Sequence, residues 1–277
     1  MNLPLGRDTA TECNTELSEP IKIVDLFAGP GGLGEGFASL GGGTRFEIVV
    51  SAEMDPVARE TLKLRAFYRL LKLKKPDRLC DYYNFCNGHS QQPFTEASKA
   101  QWQEAEEEAR CITLGSDKGD TELDTILAKQ RLEDRPWVLI GGPPCQAYSI
   151  VGRARNQAKA NYSAENDHRH FLYKEYLRII KERKPAVFVM ENVKGILSSK
   201  VAGKSIFAQI LQDLTDPNKA LGEKKTGTKY RICSLVTDQS FGPDDDVSLV
   251  DPRGFIIKAE EHGIPQARHR VILLGIA

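Results

Sequence analysis

The residue that most strongly suggests chemistry is Cys145, which lies in the run GGPPCQ. Pro143 and Pro144 fix the backbone before it and exclude a regular strand or helix there. The run follows the apolar stretch WVLI, so the thiol is predicted at the end of a strand, ahead of a polar loop. A structural cysteine needs no such frame, and a thiolate in this position is a candidate nucleophile. An inert buried thiol remains the alternative on this motif alone.

Two further polar groups lie on or after apolar strands. Glu191 and Asn192 follow the run AVFVM, where a partly desolvated carboxyl can hold or donate a proton near neutrality. In the run QARHR, the alternation of a strand puts Arg268 and Arg270 on one face. Two guanidinium groups on one face can pair with a carboxylate or hold a phosphate or a carbonyl oxygen. The alternatives are a solvated strand end and an ordinary surface strand.

A glycine-rich turn, AGPGGLGEG, follows the first apolar stretch, IKIVDLF. A strand, a tight turn and a helix in succession bring the backbone close to a small ligand. The next apolar stretch, FEIVVSAE, ends in Glu53, and an acid at that point suits the two hydroxyls of a ribose. The GxGxxG spacing is missing, which weakens an NAD or FAD interpretation and leaves an adenosyl ligand open.

Strand-like and helix-like stretches alternate along the chain, with predicted strands at 21–28, 46–53, 111–116, 137–142, 186–190, 230–237 and 268–276. This alternation predicts an α/β fold with a doubly wound, mostly parallel sheet. Ligands bind such sheets at the carboxyl ends of the strands, so all of the polar groups above would meet at one edge. Residues 66–110, basic at the start and acidic at the end, are predicted to be an insertion. We interpret it as a solvated appendage, with a nucleic-acid contact as the alternative.

The composition narrows the functional classes. The chain has 277 residues and a formal net charge of zero, so any nucleic-acid binding must use a local patch or a partner. No apolar run reaches the length of a membrane span, and the polar residues 1–20 predict a flexible leader on a cytoplasmic protein. The six cysteines form no CxxC pair, which argues against a zinc site and against a disulfide framework.

The motifs also occur in a characteristic order, namely DLFAGPGGLGEGF, SAEMDPVA, GGPPCQAYS, DHRHFL, MENVKG and HGIPQARHRVILLG. In this order they make the chain resemble the C5-cytosine DNA methyltransferase family across about residues 21–277. The resemblance implies the Rossmann-like sheet of S-adenosylmethionine-dependent methyltransferases, with seven strands of which the last is antiparallel. It also implies one catalytic domain that contains the insertion.

The resemblance implies S-adenosyl-L-methionine as the cofactor and S-adenosyl-L-homocysteine as its product. Glu53 would bind the ribose hydroxyls, and Met54 would pack against the adenine. The acid that contacts the adenine is implied at Asp117, with Asp120 and Ser116 as alternatives. The other residues implied at the cofactor are Phe27, Ala28, Gly29, Gly31, Gly32, Pro143 and Leu172.

The implied reaction methylates C5 of cytosine through a covalent adduct. Cys145 would add to C6 while Glu191 holds a proton at N3. Arg270 would hold the cytosine O2, Arg268 would position the cysteine and the base, and Asn192 would fix the loop that carries Cys145. These atoms are inaccessible inside a duplex, so base flipping is implied.

The family continues with a target-recognition region and further motifs beyond the point where this sequence stops, LLGIA. The chain is therefore expected to be a fragment, or one subunit of a split enzyme whose second polypeptide carries those parts. The expected partner is duplex DNA in a bacterial restriction-modification system, with no metal and no membrane. The alternatives are a tRNA cytosine methyltransferase and an inactive adenosyl-binding subunit.

Overall fold

The protein is built around one mostly parallel sheet whose strands alternate with helices. The computed structural model describes residues 19–144, 169–201 and 203–277. The strands are β1 (Ile21–Leu26), β2 (Phe46–Glu53), β3 (Ala109–Cys111), β4 (Val138–Gly141), β5 (Val187–Val193), β6 (Lys200–Val201), β7 (Lys204–Ser205), β8 (Arg231–Cys233), β9 (Ser240–Phe241), β10 (Ile256–Lys258) and β11 (His269–Ile276). The helices are α1 (Gly32–Ala38), α2 (Pro56–Lys74), α3 (Leu79–Cys86), α4 (Lys99–Glu108), α5 (Asp117–Lys129), α6 (Arg169–Arg183), α7 (Ile206–Thr215) and α8 (Pro217–Ala220).

The strand order confirms the predicted α/β fold with a mostly parallel sheet. Within the described residues the order is β3-β2-β1-β4-β5-β11-β8-β9, and β10 pairs with the other part of β11. The first five strands are parallel, whereas β11 is antiparallel to both β5 and β8. This sheet contains two short strands, β9 and β10, beyond the seven that were expected, and β6 and β7 pair with each other in a separate two-stranded sheet. The strand order reverses between β1 and β4, and ligands of doubly wound sheets bind at such a point.

Apolar side chains cover both faces of the sheet. Residues of a strand alternate between the two faces, so a single strand contributes to the cores on both sides. On β1, Val24 and Leu26 face the larger core, to which α5, α6 and α7 contribute. Ile23 faces a smaller core that includes Ala38 and Phe37 of α1. Asp25 is two residues beyond Ile23 and therefore lies on the α1 face, although it is almost completely buried.

The predicted insertion, residues 66–110, begins inside a continuous helix, because α2 passes residue 66 without a break. Asp55 caps this helix by accepting a hydrogen bond from the N–H of Val57 at 2.7 Å, and Pro56 occupies its first turn. The additional structure lies between α2 and β3, where α3 and α4 pack against α2. Trp102 of α4, for example, meets Phe67 of α2 edge to face, with ring centroids 5.3 Å apart.

The acidic end of this region forms ion pairs with basic residues of α2. Arg69 on α2 contacts Glu108 on α4 at 2.9 Å, and Lys63 contacts Glu106 at 3.0 Å. A nucleic-acid contact was the alternative interpretation of the basic residues in this region. Their charges are partly neutralised by these pairs within the protein. Such pairs reduce the positive charge of this surface, although exposed pairs contribute little to stability.

The described residues also bear on three other features predicted from the sequence. The predicted leader falls largely outside the described residues, although Glu19 at its end forms an ion pair with Arg135. In the described part of the chain, no helix combines the length and the apolar character needed to cross a bilayer. Over the same residues, no group of three or more His, Cys, Asp or Glu side chains could hold a metal ion.

Gly34 on α1 provides a test of how the sheet packs. A Cβ at this position would lie 2.8 Å from Oδ2 of Asp25 and 3.1 Å from Cδ1 of Ile48. We expect Gly34→Ala to lower the free energy of unfolding by about 1–3 kcal/mol, because the buried carboxyl cannot move away freely. Denaturant unfolding followed by circular dichroism measures the change.

Gly36 on the same helix is the matched control. A Cβ there would meet no atom within 4 Å. Gly36→Ala should therefore raise the free energy of unfolding by up to about 1 kcal/mol through helix propensity alone. Similar changes in the two variants would contradict the packing described for Asp25.

Candidate active site at the carboxyl edge of the sheet

A cavity of about 650 Å³ opens at the carboxyl ends of β1, β4 and β5 and is closed on one side by β10 and β11. Six of the residues proposed from the sequence line it: Phe27, Ala28, Gly32, Glu191, Arg268 and Arg270. The lining also includes Asp25, Pro30, Leu33, Gly142, Ile257, Ala259 and Ile272, which the sequence did not single out as site residues. The glycine-rich turn and the two arginines therefore face one space.

Glu53 holds the glycine-rich turn against the end of β2. Its Oε2 accepts a hydrogen bond from the N–H of Gly29 at 2.8 Å, and its Oε1 accepts one from the N–H of Asp55 at 2.8 Å. Gly31 has a φ of +88°, and a Cβ there would lie 2.7 Å from Leu62. A side chain at Gly31 is thus disfavoured by both conformation and space, which lets the turn pack closely against α2.

The residues proposed for the adenine, together with Leu172, lie around the ends of β2 and β3. They are beside this cavity and do not line it. Met54 is exposed, and its carbonyl oxygen lies 3.7 Å from Sγ of Cys111 at the end of β3. Leu172 is buried, and a Cβ at Gly115 would contact it at 3.4 Å, so α6 meets the loop after β3. The structure therefore brings Leu172 close to the proposed adenine region.

Of the three candidates for the adenine contact, two are used by the loop itself. Oγ of Ser116 accepts a hydrogen bond from the N–H of Gly119 at 3.1 Å and caps α5. Oδ1 of Asp120 accepts one from the N–H of Gly115 at 2.8 Å. Asp117 is exposed in the first turn of α5. Asp117 therefore remains the prediction for this contact.

Glu191 and Arg270 form an ion pair in the cavity, with 2.8 Å between Oε1 and Nε. The antiparallel register of β5 and β11 places Glu191 opposite Ile272 and Arg270 opposite Val193, so the two charged residues are diagonal neighbours on one face. Their side chains are 29% and 26% exposed, so a ligand in the cavity can reach both. Arg268 is more exposed and lines the same space.

Asn192 connects β5 with the segment that leads to Cys145. Its side chain is buried, and Nδ2 donates a hydrogen bond to the carbonyl oxygen of Pro143 at 3.1 Å. A Cβ at Gly142 would lie 3.3 Å from Oε2 of Glu191, so this glycine leaves room for the carboxyl. Cys145 itself lies outside the described residues, which end before it at Pro144.

Asp25 is the polar group of the cavity that the sequence reasoning did not assign. Neither carboxylate oxygen has a hydrogen-bond partner among the described residues. Burial raises the pKa of this carboxyl well above its ordinary value, and the charges of Glu108 and Glu53 raise it further. The signal for it was an acid inside the apolar run IKIVDLF, because a buried carboxyl normally has a partner.

Comparison with known proteins agrees with these motifs. Residues 99–218 match the family model of C-5 cytosine-specific DNA methylases, a span that includes Pro143, Glu191 and Asn192. The chain is 31% identical over 268 residues to the type II methyltransferase M.Bpa9945I of Bacillus paralicheniformis, covering 91% of this chain and 53% of that protein. It is 27% identical over 256 residues to the type II methyltransferase M.AquIA of a Picosynechococcus species, covering 92% and 71% of the two chains.

The chain thus spans about half the length of the first of these relatives. Among solved structures, the methyltransferase EhMeth of Entamoeba histolytica aligns with a TM-score of 0.47 and 15% identity, over 93% of this chain and 53% of that one. The matched family model, the relatives and the order of the sequence motifs all point the same way. The chain belongs to the C5-cytosine DNA methyltransferase family.

Proposed function

We propose that the chain transfers a methyl group from S-adenosylmethionine to C5 of a flipped-out cytosine in duplex DNA. The observation that carries this proposal is the Glu191–Arg270 pair, which lies in the same cavity as the glycine-rich turn. Membership of the family implies a methyl donor and a cytosine substrate. Because the chain spans about half of its first relative, the activity of a whole protein of this kind is part of the proposal.

The pair suits one particular edge of cytosine. N3 and O2 are neighbouring positions on the Watson–Crick edge of the base. A protonated N3 needs a carboxylate beside it to accept its hydrogen bond, and O2 needs a hydrogen-bond donor. Glu191 on β5 and Arg270 on β11 offer these two groups side by side on one face of the sheet. The same edge is used for base pairing inside a duplex, so the base must leave the helix to reach them.

The residues of the turn fit an adenosyl methyl donor. The fixed carboxylate of Glu53 would accept hydrogen bonds from the ribose hydroxyls. Gly32 lines the cavity without a side chain, which would allow close approach of the donor. The unpartnered carboxyl of Asp25 would pair with the ammonium group of the amino-acid part. When bound, the donor supplies a methyl group activated by a sulfonium.

The chain's own residues would prepare the base to receive that group. The thiolate of Cys145 forms a bond to C6 while N3 takes up a proton that the carboxylate of Glu191 holds in place, so the electron pair of the C5–C6 bond becomes available at C5. After methylation, a base removes the C5 proton, the Cys145–C6 bond breaks, N3 returns its proton and the aromatic ring is restored. Arg270 would stabilise the charge that develops at O2 throughout.

Two further residues would position the thiol of Cys145 and the cytosine base. Asn192 holds the carbonyl of Pro143, two residues before Cys145, and so would help to position the thiol. Arg268 lines the cavity beside Arg270 and would orient the base and the loop that carries the thiol.

The test is a transfer assay on the product of the complete native gene. With a labelled methyl donor we expect label in duplex DNA and none in tRNA, and a duplex that contains 5-fluorocytosine should form a stable adduct with the protein. The fluorine blocks loss of the C5 substituent, so the adduct reports the bond between thiol and base. Label in tRNA alone would replace DNA by RNA as the substrate. Donor binding without either product would indicate an inactive adenosyl-binding subunit.

A further inference from the structure

We propose that Lys194 and Lys204 bind backbone phosphates of the DNA beside the active site. This inference rests on the proposed function, because it takes the DNA substrate as given and adds the surface that holds it. The two lysines lie in the segment between β5 and α7, and neither of them lines the cavity. Lys194 is near the end of the run MENVKG, whereas Lys204 lies outside the motifs.

The sheet register places this segment next to the site. Val193 is the last residue of β5, and its partner on β11 is Arg270. Lys194 is the next residue, so it lies within one strand rise, about 3.3 Å, of the level of that pair. The chain then forms the hairpin of β6 and β7, and Lys204 precedes the start of α7 by two residues.

The segment has a fixed backbone. Ile196 is 2% exposed and belongs to the main core. Oγ of Ser199 donates a hydrogen bond to the carbonyl of Gly195 at 2.8 Å, and the N–H of Ile206 donates one to the carbonyl of Ser199 at 3.0 Å. A lysine on such a backbone loses only side-chain freedom when it binds a phosphate, which favours binding.

Nearby positive charges are mostly neutralised, whereas these two are not. Arg270 pairs with Glu191, as described above, and Lys258 pairs with Glu261 at 2.6 Å. Lys194 and Lys204 are exposed, and among the described residues neither has a carboxylate within ion-pairing distance. Their positive charges are therefore available to bind an anionic ligand.

The chain as a whole provides no net electrostatic attraction for DNA. The formal net charge of the chain is zero, so local positive charge has to supply the electrostatic part of DNA binding. Phosphate contacts release counterions, and each one adds about 0.9 to the steepness with which affinity falls as salt rises. A duplex whose target base occupies the cavity would have its flanking phosphates along this rim, on the side of β5 and β11.

The experiment compares two double variants of the complete protein. K194Q/K204Q removes both charges at the active edge. K224Q/K225Q removes two exposed charges at the opposite edge, where the neighbouring Glu223 contacts Lys181 of α6 at 3.1 Å. Lys200 takes part in another interaction and is left unchanged. Binding of a labelled duplex is measured by fluorescence anisotropy over a range of KCl concentrations, and thermal unfolding confirms that both variants fold.

For K194Q/K204Q we expect the slope of log Kd against log salt to decrease by about 1.8, with weaker binding at low salt. K224Q/K225Q should keep the slope of the unaltered protein. In transfer assays, K194Q/K204Q should raise KM for DNA and leave kcat unchanged, because neither lysine is placed at the reacting atoms.

Equal slopes for K194Q/K204Q and the unaltered protein would overturn the inference, as would equal decreases in both double variants. A decrease seen with duplex RNA but not with DNA would assign the surface to RNA instead and would also overturn it. If the unaltered protein methylates DNA while the slopes agree, only this inference fails. If it methylates no DNA, the proposed function fails, whatever the slopes show.

Discussion

Replacing Cys145 by serine is expected to lower the rate of methyl transfer by more than about 10³-fold, since removal of a covalent nucleophile has effects of this size or larger. A serine hydroxyl holds its proton far more tightly than a thiol and provides no comparable anion to add to C6. Binding of S-adenosylhomocysteine should remain almost unchanged, because the thiol is proposed to act on the base. Single-turnover transfer and calorimetric titration measure the two quantities.

Cys86→Ser is the matched control. Cys86 is exposed at the end of α3, in the additional structure that packs on α2. The same chemical change there should leave both the transfer rate and the affinity unaltered. If Cys145→Ser reduces affinity and rate together, Cys145 has a structural role; if transfer persists, another nucleophile is in use.

Glu191→Gln is expected to slow transfer by about 10²–10⁴-fold, the range found for a positioned acid. The amide has nearly the same shape as the carboxylate, but it has no charge and cannot hold a proton at N3. It also leaves Arg270 without the carboxylate that now lies 2.8 Å away. The rate of adduct formation with a 5-fluorocytosine duplex should fall to a similar extent, since addition of the thiol precedes methylation.

Two comparisons make this result specific. Glu261→Gln changes the same chemical group in an exposed pair with Lys258, and it should leave the rate within the range of the unaltered protein. Combining Glu191→Gln with Arg270→Lys should give an effect smaller than the sum of the two single effects in free energy, because the two side chains act on one edge of the base. Strict additivity would mean that they act independently.

The main elements of the fold were predictable because their signals are local. The apolar runs that form β1, β2, β4 and β5 alternate with amphipathic stretches, and this alone indicates a parallel sheet. Strand β10 was not predicted, because three residues acquire strand structure only through pairing with β11, where Ile256 lies opposite Val271. The predicted third strand was wrong in its bounds: it ends at Cys111, since Gly115 with its φ of +79° turns the chain toward α5.

The site was predictable in its residues but only partly in its contacts. The motifs identified Glu191 and Arg270 separately, yet their ion pair depends on the register of two strands far apart in the sequence. Arg270 was expected to bind a carboxylate, a phosphate or a carbonyl, and only the fold identifies which carboxylate lies beside it. Asp25 was not predicted as a site residue for a similar reason. Its lack of a hydrogen-bond partner among the described residues is a property of the packed cavity and is not visible in the sequence.

The buried carboxyl of Asp25, which has no hydrogen-bond partner in the described part of the chain, also predicts that the stability of the protein depends on the binding of a cation beside it. Because its pKa is raised on folding, the native state loses stability relative to the unfolded chain as the pH rises above the ordinary value of 3.8, until the raised pKa is passed. A bound cation would relieve this penalty, and a ligand at a hundred times its Kd stabilises the native state by about 2.7 kcal/mol. Protein made in excess of its methyl donor would then be the fraction that unfolds most often and is degraded first. The supply of the donor would thereby limit the amount of protein in the cell as well as its rate of turnover.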